Sequence, residues 1–319
     1  MHKVSIMMPA YNAELFIAEA IESVLNQDYF NIQLVICDDA STDNTSQIIQ
    51  EYQRRFPEKI LSIINKKNIG VTNNCNLALD HCDGDFIALF AGDDVMLPGK
   101  ISAQVAMMVQ NPEATLCYHP VEIFDFTTNK TLFITDQNTK KNITSYKDIL
   151  LRGGISGGCS IMIRRNAMPE GKYDGRLKTV SDWLFFIEIA LKGRVVKLEK
   201  TFARYRKHDN GLSQQTLSLL DQSLYALDLL IEKYPDNKEL PALVLQAKAR
   251  CLAGEAFRQL LLKNKKQSLL LAKRAVFFSK DFKYCALLLI TYMILIPGIK
   301  NIIYYIFPRG KLIVKRFIN

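Results

Sequence analysis

Apolar residues recur along the first part of the chain in short continuous runs separated by stretches of helical spacing. Four of these runs predict buried strands: residues 3–8, 33–37, 60–64 and 86–90. Between the runs, apolar residues three and four positions apart predict helices that turn one face towards a core. This alternation predicts an α/β fold, with a mostly parallel sheet flanked by helices and right-handed crossovers.

Turn and capping residues suggest where these elements begin and end. The first strand is expected to leave the sheet at Pro9, and Asn12 is the expected N-cap of the helix that follows. Ser41 or Thr42 is expected to cap the second helix. Further along, a single strand is predicted over residues 195–205.

Beyond residue 208 the pattern becomes helical. Leucines and other apolar residues alternate spacings of three and four across Pro235 and Pro241, which predicts a helical hairpin, and a further helix is expected over 267–278. The chain is therefore predicted to contain two regions, residues 1–212 and a helical extension over residues 213–319.

Two pairs of adjacent aspartates follow predicted strands, Asp38-Asp39 and Asp93-Asp94. In open α/β sheets ligands bind at the carboxyl ends of the strands, so parallel strands would bring both pairs to one edge. Hard carboxylate oxygens suit Mg²⁺ or Mn²⁺, which commonly bridges to substrate phosphates. From this segment alone, Asp93 as a helix cap with Asp94 facing water is an equally good interpretation.

The net charge of +9 is unevenly distributed. From Lys263 to the end the local balance is +11, which leaves −2 for the rest of the chain. A tail that is both basic and apolar suits an anionic membrane face, and the usual nucleic-acid motifs are missing from the sequence, so no nucleic-acid partner is expected.

The seven scattered cysteines contain no CxxC pair and predict reduced thiols in the cytoplasm. With a strand so near the first residue, no signal peptide is expected.

The tail contains a stretch of 16 residues without charge, residues 284–299, which is shorter than the roughly 20 residues of a spanning helix. A second apolar piece with Tyr304, Tyr305 and Phe307 follows, and then basic residues. Aromatic rings and flanking cations anchor segments at membrane interfaces. The tail is predicted to lie on the inner face of the cell membrane without crossing it. A buried helix that packs on the first region is the alternative.

Several blocks occur in order along the first two thirds of the chain: residues 4–12, 35–45, 68–70, 91–94, 181–183 and 205–208. As an ordered set they resemble the family 2 glycosyltransferases, whose fold for binding nucleotide-diphosphate sugars is called GT-A. The resemblance implies an inverting transferase that uses a nucleotide-diphosphate sugar, with a uridine or thymidine nucleotide favoured and a UDP-sugar expected. Its acceptor would be a hydroxyl of a glycan or of a lipid-linked acceptor in cell-surface polysaccharide synthesis.

The resemblance also assigns donor-binding residues. Pro9, Ala10 and Tyr11 would line the nucleoside pocket, and Asn68 belongs to a matching block. Asp39 would accept a hydrogen bond from the uracil N3–H, since a carboxylate only accepts and suits a base edge with a ring donor. The alternative for Asp39 is a cap on the helix that follows.

The metal assignment follows the block 91–94. The resemblance implies that Asp94 binds Mn²⁺ or Mg²⁺ and that Asp93 contacts the ribose or the shell of that ion. Ala91 departs from the family pattern, because an acid usually stands at this position. His208 matches a residue that joins the metal or contacts the diphosphate in some relatives, although a lone histidine is more often structural.

The resemblance makes Asp182 the general base that deprotonates the acceptor hydroxyl. Without it, Asp182 would be expected only to complement the helix dipole. Trp183 could line the acceptor site or belong to the core. Two other functions remain open, a non-catalytic module that binds nucleotide sugars or glycans, and a nucleotidyltransferase, which would release pyrophosphate instead of UDP.

Overall fold

The structure is a computed structural model that describes residues 1–136, 142–155, 157–207 and 216–295. It divides into two compact units, one made of Met1–Ile149 and Gly154–Leu212, the other of Leu150–Gly153 and Ser213–Asn319. The described strands, in chain order, are β1 Val4–Ala10, β2 Ile32–Asp38, β3 Ile60–Ile64, β4 Phe86–Leu89, β5 Val95–Met96, β6 Ala114–Tyr118, β7 Val121–Asp125, β8 Thr131–Ile134, β9 Met162–Arg164, β10 Arg194–Lys197 and β11 Ala203–Lys207. The described helices are α1 Ile17–Leu25, α2 Thr45–Arg55, α3 Val71–Asp80, α4 Lys100–Gln110, α5 Tyr146–Arg152, α6 Ser181–Ala190, α7 Thr216–Lys233, α8 Leu240–Leu261, α9 Lys265–Phe278 and α10 Phe282–Leu295.

The first unit is built on a sheet of seven strands in the order β10-β6-β9-β4-β1-β2-β3. β1 pairs in parallel with β2 and β4, and β2 pairs in parallel with β3, whereas β9 runs antiparallel to β4 and β6. The predicted mostly parallel α/β sheet is therefore confirmed. Its central strands are buried on both faces, which is why they occur as continuous apolar runs rather than as alternating patterns.

The core of this unit lies between the sheet and the helices that cover it. Val4, Ile6 and Met8, at alternate positions of β1, pack in one cluster with the buried stripe of α1, which includes Ile17 and Ile21. A second sheet of four strands has the order β5-β11-β7-β8. In it β11 pairs in parallel with β7 and antiparallel with β5, the short strand that follows the 93–94 acidic pair.

Several predicted element boundaries were wrong. β1 continues past Pro9 to Ala10, and α1 begins only at Ile17, with Phe16 at the N-cap position. Asn12 is not a helix cap; it has a positive φ of 48° and hydrogen-bonds to the loop after β2. The second helix likewise begins at Thr45 rather than directly after residues 41–42.

The single strand predicted over residues 195–205 is in fact two strands in different sheets. β10 pairs with β6 in the larger sheet, and β11 pairs with β7 in the smaller one. The fourth predicted strand, residues 86–90, ends one residue earlier than predicted, at Leu89. Residues 90–94 form a loop beyond it, and this loop carries the acidic pair.

The second unit contains α7 to α10. The predicted hairpin corresponds to α7 and α8, and the further predicted helix to α9. These helices bury a cluster that includes Leu220, Leu252, Leu271, Ala275 and Tyr284. No helix in the described part of the chain is long and apolar enough to cross a membrane. The first part of the predicted interfacial tail, residues 284–295, belongs to α10, and its remainder from residue 296 onward lies outside the described residues.

Candidate active site

Hydrogen bonds join the loops that follow β1 and β2. The Asn12 amide donates to Ser41 Oγ at 2.8 Å, and the Thr42 amide returns a bond to Asn12 Oδ1 at 2.9 Å. The Ala13 amide donates to Thr45 Oγ1 at 2.8 Å. These bonds satisfy backbone donors before both helices and fix the two loops as one surface.

The end of β1 lies between the two acidic segments. Asp39 donates its amide to the Ala10 carbonyl at 2.9 Å, and Gly92 donates its amide to the Pro9 carbonyl at 3.1 Å. A Cβ on Gly92 would lie 2.8 Å from Ile17 Cδ1, so a larger residue at this position would displace the buried Ile17 side chain. Tyr11 follows directly and is 51% exposed, as an aromatic platform for a ligand would be.

The two carboxylates after β2 have different surroundings. Asp38 is fully buried and accepts hydrogen bonds from Ser41 and from Ser46 Oγ, so it holds its own loop together. Asp39 Oδ1 accepts from the Ile69 amide at 2.7 Å, and Asp39 Oδ2 accepts from the Gly70 amide at 2.9 Å.

Asp39 therefore ties the end of β2 to the start of α3. Asn65 Nδ2 also donates to Asp39 Oδ1, at 3.3 Å. A carboxylate offers about four lone-pair positions, so a position for a further donor is left. Asn68 is exposed beside it, and its Oδ1 shares the Gly70 amide at 3.1 Å.

Asp94 is a buried carboxylate in the loop beyond β4. Its Oδ1 accepts the Arg206 amide at 3.1 Å, and the Cys159 thiol hydrogen-bonds to its side chain. Burial raises the pKa of Asp94 well above its usual range, and the adjacent Asp93 carboxylate raises it further, while the Arg206 amide opposes the shift. Two like charges in a buried loop form the arrangement that a divalent cation relieves.

The carboxylates of Asp93 and Asp94 fit as ligands of a hard divalent ion that takes its remaining ligands from substrate phosphates and water. Mg²⁺ is commonly bound by one or two carboxylates in this way. The described residues contain no group of three or more His, Cys, Asp or Glu side chains that could hold a metal. His208, the predicted additional ligand, lies outside the described residues.

Arg206 was quoted above within the block 205–208, but its position at the site could not be deduced from the sequence. It is nearly buried, and its Nε donates to the Asp93 carbonyl at 2.8 Å while Nη2 pairs with Glu19. Its guanidinium carbon lies 4.8, 5.0 and 5.6 Å from the ring centroids of Phe124, Phe16 and Phe126. Arg206 thus hydrogen-bonds to the acidic loop through both its backbone and its side chain.

Lys100 is a second charged group that the sequence analysis missed. It is fully buried, its Nζ donates to Gln104 Oε1 at 2.8 Å, and burial lowers the pKa of Lys100 to about 8. Lys100 acts electrostatically on Cys159, the thiol that contacts Asp94. The spacing of residues 100, 101, 104, 105 and 108 on the buried face of α4 would have revealed it.

Asp182 lies in the first turn of α6, and Oδ1 of its carboxylate accepts the Trp183 amide at 2.8 Å. The residue is exposed, although enough protein surrounds the carboxylate for the loss of water to raise the pKa of Asp182. An accessible carboxylate with a raised pKa is suited to accept a proton. Trp183 is buried, with Nε1 donating to the Ile149 carbonyl at 3.3 Å, which favours a core role.

The starts of α3 and α6 are in contact. Thr72 Oγ1 donates to the Leu177 carbonyl at 2.7 Å and lies 3.0 Å from Ser181 Oγ, one residue before Asp182. Burial raises the pKa of the nearby Cys75 to about 12, and the charges of Asp182 and Asp39 contribute to the shift. The first turn of α3 therefore connects Asp39 with Asp182.

A glycine-rich segment, residues 153–158, precedes β9, and glycines can let the backbone approach a neighbouring group closely. Gly154 and Gly157 have positive φ angles of 115° and 78°. A Cβ on Gly157 would meet Val121 Cγ2 at 3.0 Å, so at this position the close approach is to the protein itself. Ser156 lies outside the described residues.

Comparison with known proteins identifies the family. The model of glycosyl transferase family 2 matches residues 5–170, which is more than half of the chain. The chain belongs to this family. Its fold is that of a GT-A glycosyltransferase.

Individual relatives share part of the chain. It is 33% identical over 212 residues to an uncharacterized protein of Mycobacterium tuberculosis, Rv1520, covering 65% of this chain and 60% of that protein. It is 34% identical over 160 residues to the Escherichia coli UDP-Glc:alpha-D-GlcNAc-diphosphoundecaprenol beta-1,3-glucosyltransferase WfgD, covering 50% of this chain and 59% of WfgD. The chain thus spans about 60% of the length of these relatives.

Among solved structures, TarS 1-349 of S. aureus in complex with UDP superposes with a TM-score of 0.62. The match covers 89% of this chain and 83% of that one at 16% sequence identity. At this identity the comparison shows the fold.

Proposed function

We propose that this protein is an inverting glycosyltransferase that moves a sugar from a nucleotide-diphosphate sugar to an acceptor hydroxyl. The observation that carries the proposal is the arrangement of three aspartates. Asp39 and Asp94 follow parallel strands on either side of β1. Asp39 accepts the Gly70 amide just before α3, and Ser181, the residue before Asp182, contacts Thr72 in the first turn of α3. This edge of the sheet is where open α/β sheets bind their ligands.

The donor is proposed to be a UDP-sugar. The uracil would lie against Tyr11, in a pocket lined by Pro9 and Ala10, and donate its N3–H to Asp39. The exposure of Tyr11 and the spare acceptor capacity of Asp39 support this. TarS, with the same fold, has been solved with UDP. Asn68 and Asp93 would complete the donor contacts.

Asp94, with Asp93 beside it and His208, would hold Mn²⁺ or Mg²⁺. When bound, such an ion supplies positive charge that stabilises the departing diphosphate. The protein's own contribution is to hold the Asp94 carboxylate, through the Arg206 amide and the Cys159 thiol, and the main chain of Asp93, through the Arg206 guanidinium.

Asp182 is proposed to act as general base. Its carboxylate takes the proton of the acceptor hydroxyl while that oxygen bonds to the anomeric carbon. The bond from this carbon to the diphosphate breaks at the same time, and its electron pair leaves with UDP. Attack from the face opposite the diphosphate inverts the anomeric configuration. The exposure of Asp182 leaves it reachable by an acceptor.

The acceptor is proposed to be a glycan or lipid-linked sugar of cell-surface polysaccharide synthesis. WfgD carries a diphosphoundecaprenol-linked acceptor in its name. We further propose that residues 1–212 are the catalytic domain. Residues 213–319 would be a helical region whose tail holds the protein at the inner face of the cell membrane.

A panel of UDP-sugars tests the proposal. Purified protein with Mn²⁺ and an acceptor extract should release UDP from one of them, and Asp182→Asn should bind that donor normally without releasing UDP. UDP binding without turnover for any donor would favour a non-catalytic binding module. Release of pyrophosphate from nucleoside triphosphates would favour a nucleotidyltransferase.

A further inference from the structure

One face of α9 is exposed and carries both apolar and basic side chains. Lys266, Leu270, Lys273, Arg274 and Phe277 are all exposed, and their spacing of four, three, one and three places them on one side of the helix. Phe277 is 83% exposed. The opposite side of α9 packs into the core of the second unit, so the exposed face belongs to a helix that is already anchored.

α10 presents a similar face. Phe282, Leu289 and Tyr292 are exposed at a spacing of seven and three residues, and Phe282 is 79% exposed. Tyr284 and Thr291 are buried on the other side. Lys273 Nζ lies 5.4 Å from the ring centroid of Tyr292, so the exposed faces of α9 and α10 adjoin. We call this combined surface the α9–α10 face.

The charge on and around this face is positive. Between Lys263 and Leu295 the sequence contains seven Lys and Arg residues and a single acid, Asp281, which pairs with Lys283 at 3.4 Å. Large exposed apolar patches mark interaction sites, and here aromatic rings alternate with cations. A second copy of the same face would be repelled by its charge, and nucleic acid would leave the phenylalanines in water.

Helix length decides between lying on a bilayer and crossing it. α9 has 14 residues, of which four are Lys or Arg, and at 1.5 Å per residue it is about 21 Å long, less than the roughly 30 Å hydrocarbon core. An interfacial helix buries its apolar side chains at the depth of the lipid headgroups while its lysines contact lipid phosphates.

We propose that the α9–α10 face docks on a bilayer of anionic lipids, with Phe277 and Phe282 inserted and Lys266, Lys273 and Arg274 on the headgroups. This inference rests on the proposed function and adds a partner to it. A lipid-linked acceptor lies in a membrane, so an enzyme that uses it works at a membrane surface. The inference differs from the tail anchor predicted over residues 284–307, since it assigns binding to the exposed face of α9 together with that of α10 and does not need residues 296–319.

Flotation of the full chain with phosphatidylglycerol vesicles, and separately with phosphatidylcholine vesicles, tests the proposal. We expect binding to the anionic vesicles at low salt, weakened by 0.5 M NaCl, and much weaker binding to the neutral ones. Phe277→Glu with Phe282→Glu should lower the affinity for anionic vesicles by about tenfold or more, and Lys273→Gln alone by about fivefold.

Leu245→Glu is the matched control, because Leu245 is 45% exposed on α8 of the same unit. It should leave vesicle binding unchanged. Circular dichroism and melting temperature check that each variant is folded. UDP affinity, measured without vesicles, should be the same in all variants. This measurement separates a failure of the donor-binding proposal from a failure of the proposed membrane docking.

Three outcomes would overturn the inference. Full vesicle binding by the double phenylalanine variant would assign binding to residues 296–319. Equal binding to neutral vesicles would remove the role of the basic residues. A wild-type dimer that the same substitutions convert to monomer, without any change in vesicle binding, would make a second copy the occupant of the face.

Discussion

The main-chain amide of Arg206 donates a hydrogen bond to Asp94 Oδ1 at 3.1 Å, across 112 residues of sequence. β11 therefore sets the position of the carboxylate that we propose as a metal ligand. The guanidinium of the same residue holds the Asp93 carbonyl and pairs with Glu19, so a single side chain and its backbone fix both acids.

Arg206→Lys should loosen the acidic loop. Lysine keeps the positive charge but lacks the planar fork that reaches Glu19 and the Asp93 carbonyl together. We expect the dissociation constant for UDP in Mn²⁺, measured by calorimetry, to rise about tenfold, the equivalent of one charge-assisted hydrogen bond.

Arg204→Lys is the matched control on the same strand. Arg204 pairs with Glu122 at 3.2 Å and lies 4.0 Å from the ring centroid of Phe124, but no described contact joins it to the acidic loop. It should change UDP affinity less than about twofold. Equal effects of the two substitutions would mean that Arg206 acts only through the stability of the second sheet.

Asp94→Asn should abolish the metal dependence of nucleotide binding. The amide oxygen can still accept the Arg206 amide, so the loop keeps its shape, but the charge that would bind the ion is gone. Adding Mn²⁺ should raise the melting temperature of the wild type in the presence of UDP and leave that of the variant unchanged. The same Mn²⁺ effect in both proteins would rule Asp94 out as a ligand.

Asp182→Asn should reduce kcat by roughly 10²- to 10⁴-fold with little change in donor affinity, because the amide cannot accept the acceptor proton. Burial raises the pKa of Asp182, so the wild-type kcat should fall as pH drops through this raised value, above the usual range of aspartate. Rate measurements across pH 4 to 8 check both points. A variant that keeps kcat within a factor of a few would assign the base to another residue.

Asp39→Asn should change base preference. Uracil N3–H needs an acceptor, whereas cytosine N3 is itself an acceptor and could take a hydrogen bond from the new amide group. We expect the ratio of UDP to CDP affinity to fall by about tenfold. The Ile69 and Gly70 amides would share one oxygen, so the melting temperature should also drop. A lower melting temperature with an unchanged affinity ratio would leave Asp39 with a structural role alone.

His119 should make the stability of the first unit depend on pH. It is fully buried, its Nδ1 lies 2.8 Å from the Pro120 carbonyl, and burial together with the charge of Lys100 lowers the pKa of His119 from 6.5 to about 3. Between these values the unfolded chain binds a proton that the native protein excludes. Stability is therefore lost as pH falls below 6.5, by about 1.4 kcal/mol at pH 5.5.

Urea unfolding at pH 7.5 and pH 5.5 measures this loss. In His119→Gln, whose amide can still donate to the Pro120 carbonyl, the difference between the two pH values should be smaller by about the same amount. An equal pH dependence in both proteins would show that other groups account for it.

Local sequence was sufficient for much of the fold. β2 was predicted nearly to the residue because a strand buried on both faces needs a continuous apolar run, and the apolar run 60–64 likewise predicted β3. The helical spacing across Pro235 and Pro241 predicted the pair α7 and α8. The ordered acidic blocks also indicated Asp39, Asp94 and Asp182 as candidates, since the chemistry of a donor site requires these residue types.

Tertiary structure decided what depends on partners far along the chain. Asn12 is a residue type that often caps helices, yet its side-chain oxygen accepts a hydrogen bond from the Thr42 amide, 30 residues away. The effect of Lys100 on Cys159 and the hydrogen bonds of Arg206 to Asp93 and Asp94 depend on which strands become neighbours. Capping and periodicity report on a few adjacent residues, whereas the environment of a side chain is set by segments that only the folded chain brings together.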